Sequence, residues 1–392
     1  MRARRRTILL AAALTVALAT GPLAAPAFAS PAPPAAGHCA QGTNAEALCE
    51  ALTGLPNDDA TAALVRVGGR DGTWHGSAGV HDLDSGRAAD PHARFRAGST
   101  TKVVTAAVVL QLAAEGRVGL NTPVQRYLPG LLGPDFRPVT VRQLLNHTSG
   151  IPAGDGFGNS FEEQYAHRFD RLTPRQVVAS AAAKGPEFRP GERQHYLNIN
   201  YTLLGLLIEK VTGHPYADEA ARRIFGPAGM RNTYFPGADP RIRGPHNHGY
   251  QVVQQPDGST EFVDVTDWIP ADEAAGGMIS TTADLQRLLT RLFRGDLVPE
   301  PQLEEMFTLP EGLKDATMSA GLQQYTYDGT VYWLKTGARY GYSTMIAATR
   351  DLSRTLVYSI NTTDAKGQGM NPVAQRVAQA ALTPPAPAPR AR

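Results

Sequence analysis

The chain has only two cysteines in 392 residues, Cys39 and Cys49. That number excludes a multi-disulfide scaffold or a thiolate metal cluster and leaves stability to a packed core. Aromatic residues are scarce at 7%, charged residues reach 19%, and the formal net charge is only +2. So balanced a chain gives no electrostatic footprint for nucleic acid, and no such partner is expected. Its most apolar early run, 8–19, is shorter than the ~20 residues needed to cross a bilayer, so no integral membrane anchor is expected. His-Glu-x-x-His is absent. His147 and the pair His246 and His248, in a turn-like stretch, are read as structural, and neither metal nor cofactor is expected.

What is present begins with a leader. Arg2, Arg4, Arg5 and Arg6 precede the apolar run, and Ala27-Phe28-Ala29 offers a small-residue cleavage site. Residues 1–29 therefore read as a secretory signal peptide, with Arg5-Arg6 leaving both Sec and twin-arginine export open. The mature chain is expected outside the cell, as a monomer. His38 stands where a lipobox needs a small residue, which argues against a lipid anchor. In an exported chain Cys39 and Cys49 either pair, stapling the N-terminal arm to the first helix, or remain as two free thiols.

Residues 30–43 are expected as a disordered lead-in, 44–382 as one domain, and 383–392, rich in Pro and Ala, as a disordered tail. Strands are expected at 62–67 and 73–80 and again at 331–335, 342–349 and 354–361, with a last amphipathic helix at 371–382. Helical patterning dominates between these groups, at 139–146, 173–183, 201–212 and 216–224. The expectation is an α+β fold: one antiparallel sheet closed by both ends of the chain and flanked by helices, with an all-helical subdomain inserted at about 131–270.

The stretch 95–116 organises the rest. Residues 103–114 are apolar apart from Thr105 and Gln111, the pattern of a helix buried on every side. At its start stands Ser99-Thr100-Thr101-Lys102. A lysine there opposes the helix macrodipole, at a cost of roughly 0.3–1 kcal/mol if exposed and more if buried. Chemistry supplies a reason for it, because a serine hydroxyl becomes a nucleophile when a neighbour takes its proton. Taken alone, the pair reads more readily as an ordinary N-cap and a surface lysine, since Ser-x-x-Lys arises by chance in many chains. Ala97 stands in place of the first glycine of Gly-x-Ser-x-Gly, which excludes an α/β-hydrolase nucleophile elbow.

Two further segments complete a pattern. Tyr196-Leu197-Asn198 follows Pro190-Gly191, and Lys335-Thr336-Gly337 ends an expected strand. In this order the three motifs resemble the penicillin-recognising serine hydrolases, and Tyr-x-Asn is similar to the second motif of the serine D-alanyl-D-alanine carboxypeptidase and class C β-lactamase branch. Leu144-Leu145-Asn146-His147-Thr148-Ser149-Gly150 and Ala275-Gly276-Gly277-Met278-Ile279-Ser280-Thr281 resemble stretches of the same family.

The resemblance implies a β-lactamase/transpeptidase-like fold and an acyl-enzyme on Ser99. It implies Tyr196 as general base, held at or near phenolate by Lys102 and Lys335, with Lys102 itself left open as the base. Asn198 would bind the substrate amide and Lys102, and the amides of Ser99 and Ala338 would form the oxyanion hole. Trp268 resembles an aromatic placed at the cleft. The implied activity is D-alanyl-D-alanine carboxypeptidase on cell-wall peptide, with β-lactams acylating the same serine. Alternatives are a class C-like β-lactamase, a D-amino-acid peptidase or amidase, an esterase, and a non-catalytic binder. One departure stands out: Ala338 follows Gly337 where the branch carries a hydroxyl, and no arginine lies in 322–327. Lys335, Thr336 and Arg339 are therefore expected to hold the substrate's carboxylate instead.

Overall fold

The computed structural model describes residues 38–383 except 71 and 368. The expected signal peptide, most of the lead-in and the tail beyond Thr383 lie outside the described residues. A seven-stranded antiparallel sheet organises the rest. Its strands are β1 (His38–Cys39), β2 (Ala60–Gly68), β3 (Trp74–Gly79), β8 (Gln323–Tyr327), β9 (Thr330–Arg339), β10 (Tyr342–Ala348) and β11 (Thr355–Thr362), in the order β1-β3-β2-β11-β10-β9-β8. Two short pairs complete the set: β4 (Phe95–Arg96) with β7 (Ile279–Ser280), and β5 (Tyr250–Gln254) with β6 (Thr260–Asp264). The chain's first and last long strands, β2 and β11, lie side by side.

Both of these central strands are small and β-branched, and β11 is buried at every position. That is what a strand covered on two faces requires. On one face Trp74 and Leu356 share a core with Leu48 of the helix Ala45–Ala51 and Val373 of the helix Pro372–Leu382. The other carries the larger core, around the helix Thr101–Ala114, in which Thr101 through Leu110 are all buried. The polar residues of this central helix are all engaged. Thr105 donates to the Ala274 carbonyl at 2.6 Å, and Gln111 donates to that of Leu297 at 2.6 Å. Thr282–Phe293, an element not expected above, lies on the same side with Leu285, Leu288, Leu289 and Leu292 inward and Thr281 as its cap.

Within 131–270 the helices Val141–Leu145, Phe161–Ala166 and Pro174–Ala183 each begin with a capping box, set by Thr140 with Gln143, Ser160 with Glu163, and Thr173 with Gln176. The segment is not all-helical. It contains the β5–β6 hairpin, where alternating residues at 250–254 and 260–264 pair across a Pro-Asp-Gly turn. Cys39 and Cys49 are disulfide-bonded, with Cα atoms 5.9 Å apart, tying β1 to the helix Ala45–Ala51.

Candidate active site

Ser99 sits in a single 3-10 turn, Gly98–Thr100, that runs into the central helix. It is not an N-cap. Strand β4 delivers it, and the turn is fixed by bonds from the Ala97 amide to the Met278 carbonyl at 2.9 Å and from the Thr101 hydroxyl to the Gly98 carbonyl at 2.7 Å. The turn lies against β9 so closely that only glycine fits at two places. A side chain at Gly98, whose φ is +52°, would come within 2.7 Å of the Ala338 amide nitrogen, and one at Gly337 within 2.9 Å of that of Ser99. The two amides expected to stabilise an oxyanion therefore both lie at this contact.

Lys102 is one turn on and fully buried. Its Nζ donates to Asn198 Oδ1 and to the Ala275 carbonyl, both at 2.7 Å, and lies 3.2 Å from Ser99 Oγ. The first two partners only accept, so a neutral amine spends both its N–H bonds there and turns its lone pair to the serine hydroxyl. Burial first, then the Lys335 charge, holds Lys102 well below the ordinary lysine range. Asp272 works in the other direction, and its own carboxyl is raised by burial while the Thr202 hydroxyl donates to it at 2.8 Å.

Tyr196 packs between the two lysines, with Lys102 Nζ 5.0 Å and Lys335 Nζ 4.7 Å from its ring centre. Here the expectation of a phenolate needs correction. Burial pushes the phenol up to about 12, against the Ser99 hydroxyl and the Arg339 charge, which favour ionisation. The lysines stand over the ring, and burial pulls Lys335 itself down to about 7. That direction favours the neutral phenol at pH 7, and the hydroxyl is buried without a well-formed hydrogen bond. Asn198 begins the helix Ile199–Thr212 through its backbone carbonyl alone, which leaves its side chain for Lys102 and the cavity.

Residues that the sequence reading did not assign to the site hold Tyr196 in place. His147, whose φ is +61°, sets its ring 4.5 Å from that of Tyr196 and 5.2 Å from that of Tyr201. Burial and then the two lysines keep it neutral. Gln194 clamps the preceding loop, donating to the carbonyls of Asn146 and Met318 at 2.7 and 2.8 Å and accepting from the amides of Thr317 and Met318.

A cavity of about 500 Å³ brings together Ser99, Tyr196, Asn198, Lys335, Thr336 and Ala338. Arg339 and Trp268 line a separate, adjoining hollow of about 220 Å³. Lys335 and Arg339, four residues apart on β9 and so on one face of the strand, line adjoining hollows, and the Arg339 charge reaches Tyr196 and Lys102. Lys366, which the sequence reading missed, borders both.

An antiparallel sheet with a buried helix behind it, and a serine, lysine and tyrosine brought together at the helix start, define a serine hydrolase of β-lactamase/transpeptidase-like fold. The family model described as Beta-lactamase matches residues 52–380, and the chain belongs to this family. Penicillin-binding protein 4* of Bacillus subtilis is 31% identical over 309 residues, 75% of this chain, and the chain spans 66% of that relative's length. A D-stereospecific amidohydrolase from Streptomyces sp. superposes with a TM-score of 0.74 at 33% identity, covering 86% of this chain and 98% of its own. The D-amino acid amidase of Ochrobactrum anthropi, at 24% identity and a TM-score of 0.72 over 86% of this chain and 98% of its own, shares the fold.

Proposed function

We propose that the protein hydrolyses amide bonds at D-amino-acid residues through an acyl-enzyme on Ser99. The observation that carries this reading is the Lys102 amine, desolvated and with its third position on Ser99 Oγ at 3.2 Å. Ser99 Oγ attacks the carbonyl carbon as its proton passes to Lys102, and the oxyanion is met by the amides of Ser99 and Ala338. The neutral Tyr196 phenol gives its proton to the leaving nitrogen and regains one from Lys102. Water then attacks the ester carbonyl, its proton taken by Lys102 and passed to Ser99 Oγ as the acyl–oxygen bond breaks, which restores the free serine and the neutral amine. A protein that only binds peptide has no use for a lysine buried behind the serine.

D-stereospecific hydrolysis is favoured by the likeness to the Streptomyces amidohydrolase, which covers nearly all of that chain. D-alanyl-D-alanine carboxypeptidase activity is the second reading, favoured by Lys335 and Thr336 in the Ser99 cavity. The disulfide supports an exported location. Mixing the protein with benzylpenicillin and weighing it is one test, and assaying D- against L-amino-acid p-nitroanilides is the other. An adduct on Ser99, absent from Ser99→Ala, and hydrolysis confined to the D-series are expected. Turnover by Ser99→Ala, or equal turnover of the L-series, would overturn the reading.

A further inference from the structure

The hollow beside the Ser99 cavity has an unusual lining. Phe157, Trp268 and Tyr340 supply aromatic walls, and Arg96, Arg339 and Lys366 supply cations. Among the described residues, no aspartate or glutamate lines either this hollow or the Ser99 cavity. At about 220 Å³ it is smaller than the roughly 300–1,000 Å³ of a whole-ligand pocket, and suits one side chain or acyl group.

Its three cations are not equivalent. Arg96 is spent on the protein, donating from Nε and Nη2 to the Thr266 carbonyl at 3.2 and 2.7 Å and from Nη2 to that of Pro240 at 2.5 Å. Arg339 donates only Nε, to the Gly276 carbonyl at 3.1 Å. Among the described residues, neither Arg339 nor Lys366 belongs to an ion pair. The carboxylate whose field reaches Arg339 is Asp272, which burial biases towards its neutral form. Glu162 and Asp364 act on the Tyr340 hydroxyl from outside the lining. Burial and the Arg339 charge pull the Lys366 ammonium to about 8, although the residue as a whole is exposed. The aromatic wall is braced, with the Tyr340 ring 5.1 Å from both Trp268 and Phe161.

We propose that this hollow is a substrate subsite for an acidic group, its rings holding the apolar part of a substituent and Arg339 and Lys366 its carboxylate. Resting on the amide-hydrolase reading above, it narrows the substrate class to D-residue amides that carry a carboxylate. A guanidinium with free terminal nitrogens forks onto a carboxylate, and a second cation beside it adds to the attraction. A substrate with a free ammonium in the same place meets two like charges and no carboxylate in the lining.

The test uses three compounds that step from one negative charge through neutral to one positive charge: N-succinyl-, N-acetyl- and free-amino D-phenylalanine p-nitroanilide. Wild-type kcat/KM is expected to fall in that order, by about tenfold or more from succinyl to acetyl. In Lys366→Gln the succinyl-to-acetyl ratio should collapse towards one, and Lys366→Glu should shift preference to the free amine. Calorimetric binding of the same compounds to Ser99→Ala reads the hollow independently of turnover. Turnover without charge preference overturns the subsite and leaves the hydrolase reading standing. Binding in the stated order without turnover overturns the hydrolase reading for these amides and keeps the subsite. Equal affinities, no binding of any compound, or an unchanged ratio in Lys366→Gln overturn the subsite.

Discussion

Tyr196 shows how a residue's surroundings decide its role. A phenol at about 12 is poorly suited to take a proton at pH 7 but well suited to give one, so the lower-lying base of the site is Lys102. Tyr196→Phe is expected to lower the acylation rate about a hundredfold with amide substrates while changing binding little. The loss should shrink with an activated ester, whose leaving group needs no proton. Stopped-flow acylation of an amide and an ester pair checks this, and equal losses on both would return Tyr196 to the position of base on Ser99. Arg339 is the companion case. It was legible as a candidate carboxylate partner, but not as part of β9, which runs past the expected end at 335 to Arg339, nor in the hollow it enters, which depends on Gly276, where a Cβ would collide with the guanidinium's Nη2 at 2.5 Å.

At the scale of elements, the contact between the Ser99 turn and β9 depends on Gly98 and Gly337. A methyl at Gly337 would strike the Ala97 carbonyl and the Ser99 amide, both backbone. Gly337→Ala is therefore expected to lose about a hundred- to a thousandfold in kcat, the scale of a lost oxyanion donor, with near-normal far-UV circular dichroism.

The β5–β6 hairpin is held differently, by His248 Nδ1 at 2.7 Å from Asp264 Oδ2. The Asp264 hydrogen bond, then its charge and those of Asp82 and Asp267, raise the His248 pKa against burial; His81 and His246 are the imidazoles facing it. A raised histidine stabilises fully below its unfolded value of about 6.5 and ceases to do so as pH rises through its folded value. His248→Gln should thus lower Tm more at about pH 5.5 than at about pH 8, and an equal loss at both would assign the contact no charge.

These elements were unequally legible. The central helix and the strands β2, β3, β9, β10 and β11 announce themselves by long apolar or β-branched runs. β8 reads as a polar Gln-Gln-Tyr-Thr-Tyr edge strand, and β5–β6 as polar residues whose pairing only a tertiary contact selects. The helix Thr282–Phe293 carried a clear signal, a Thr281 cap and leucines at helical spacing. Lys366 carried none. Nothing local marks a lysine in the loop between β11 and the last helix as part of two cavities.

Over the whole molecule, the site and the disulfide lie at opposite ends of the sheet. β1 and β9 are five strand spacings apart, about 24 Å. Replacing Cys39 and Cys49 together by serine should lower stability by about 2–3 kcal/mol, the scale of a short closed loop, and leave kcat/KM unchanged. Urea unfolding beside a standard assay checks both halves, and lost activity in a protein that remains folded would tie the first helix to the site. The sheet's closure has a consequence in time. β2 finds its central neighbour only in β11, a meeting that joins Thr61 to Asn361 across 300 residues. The Ser99 turn likewise waits for β9. A ribosome making this chain at about 5–20 residues per second has therefore long since released the nucleophile before its oxyanion partner exists. Hydrolytic power arrives only with the final stretch of synthesis, and the growing chain passes through the cell as an unarmed polypeptide.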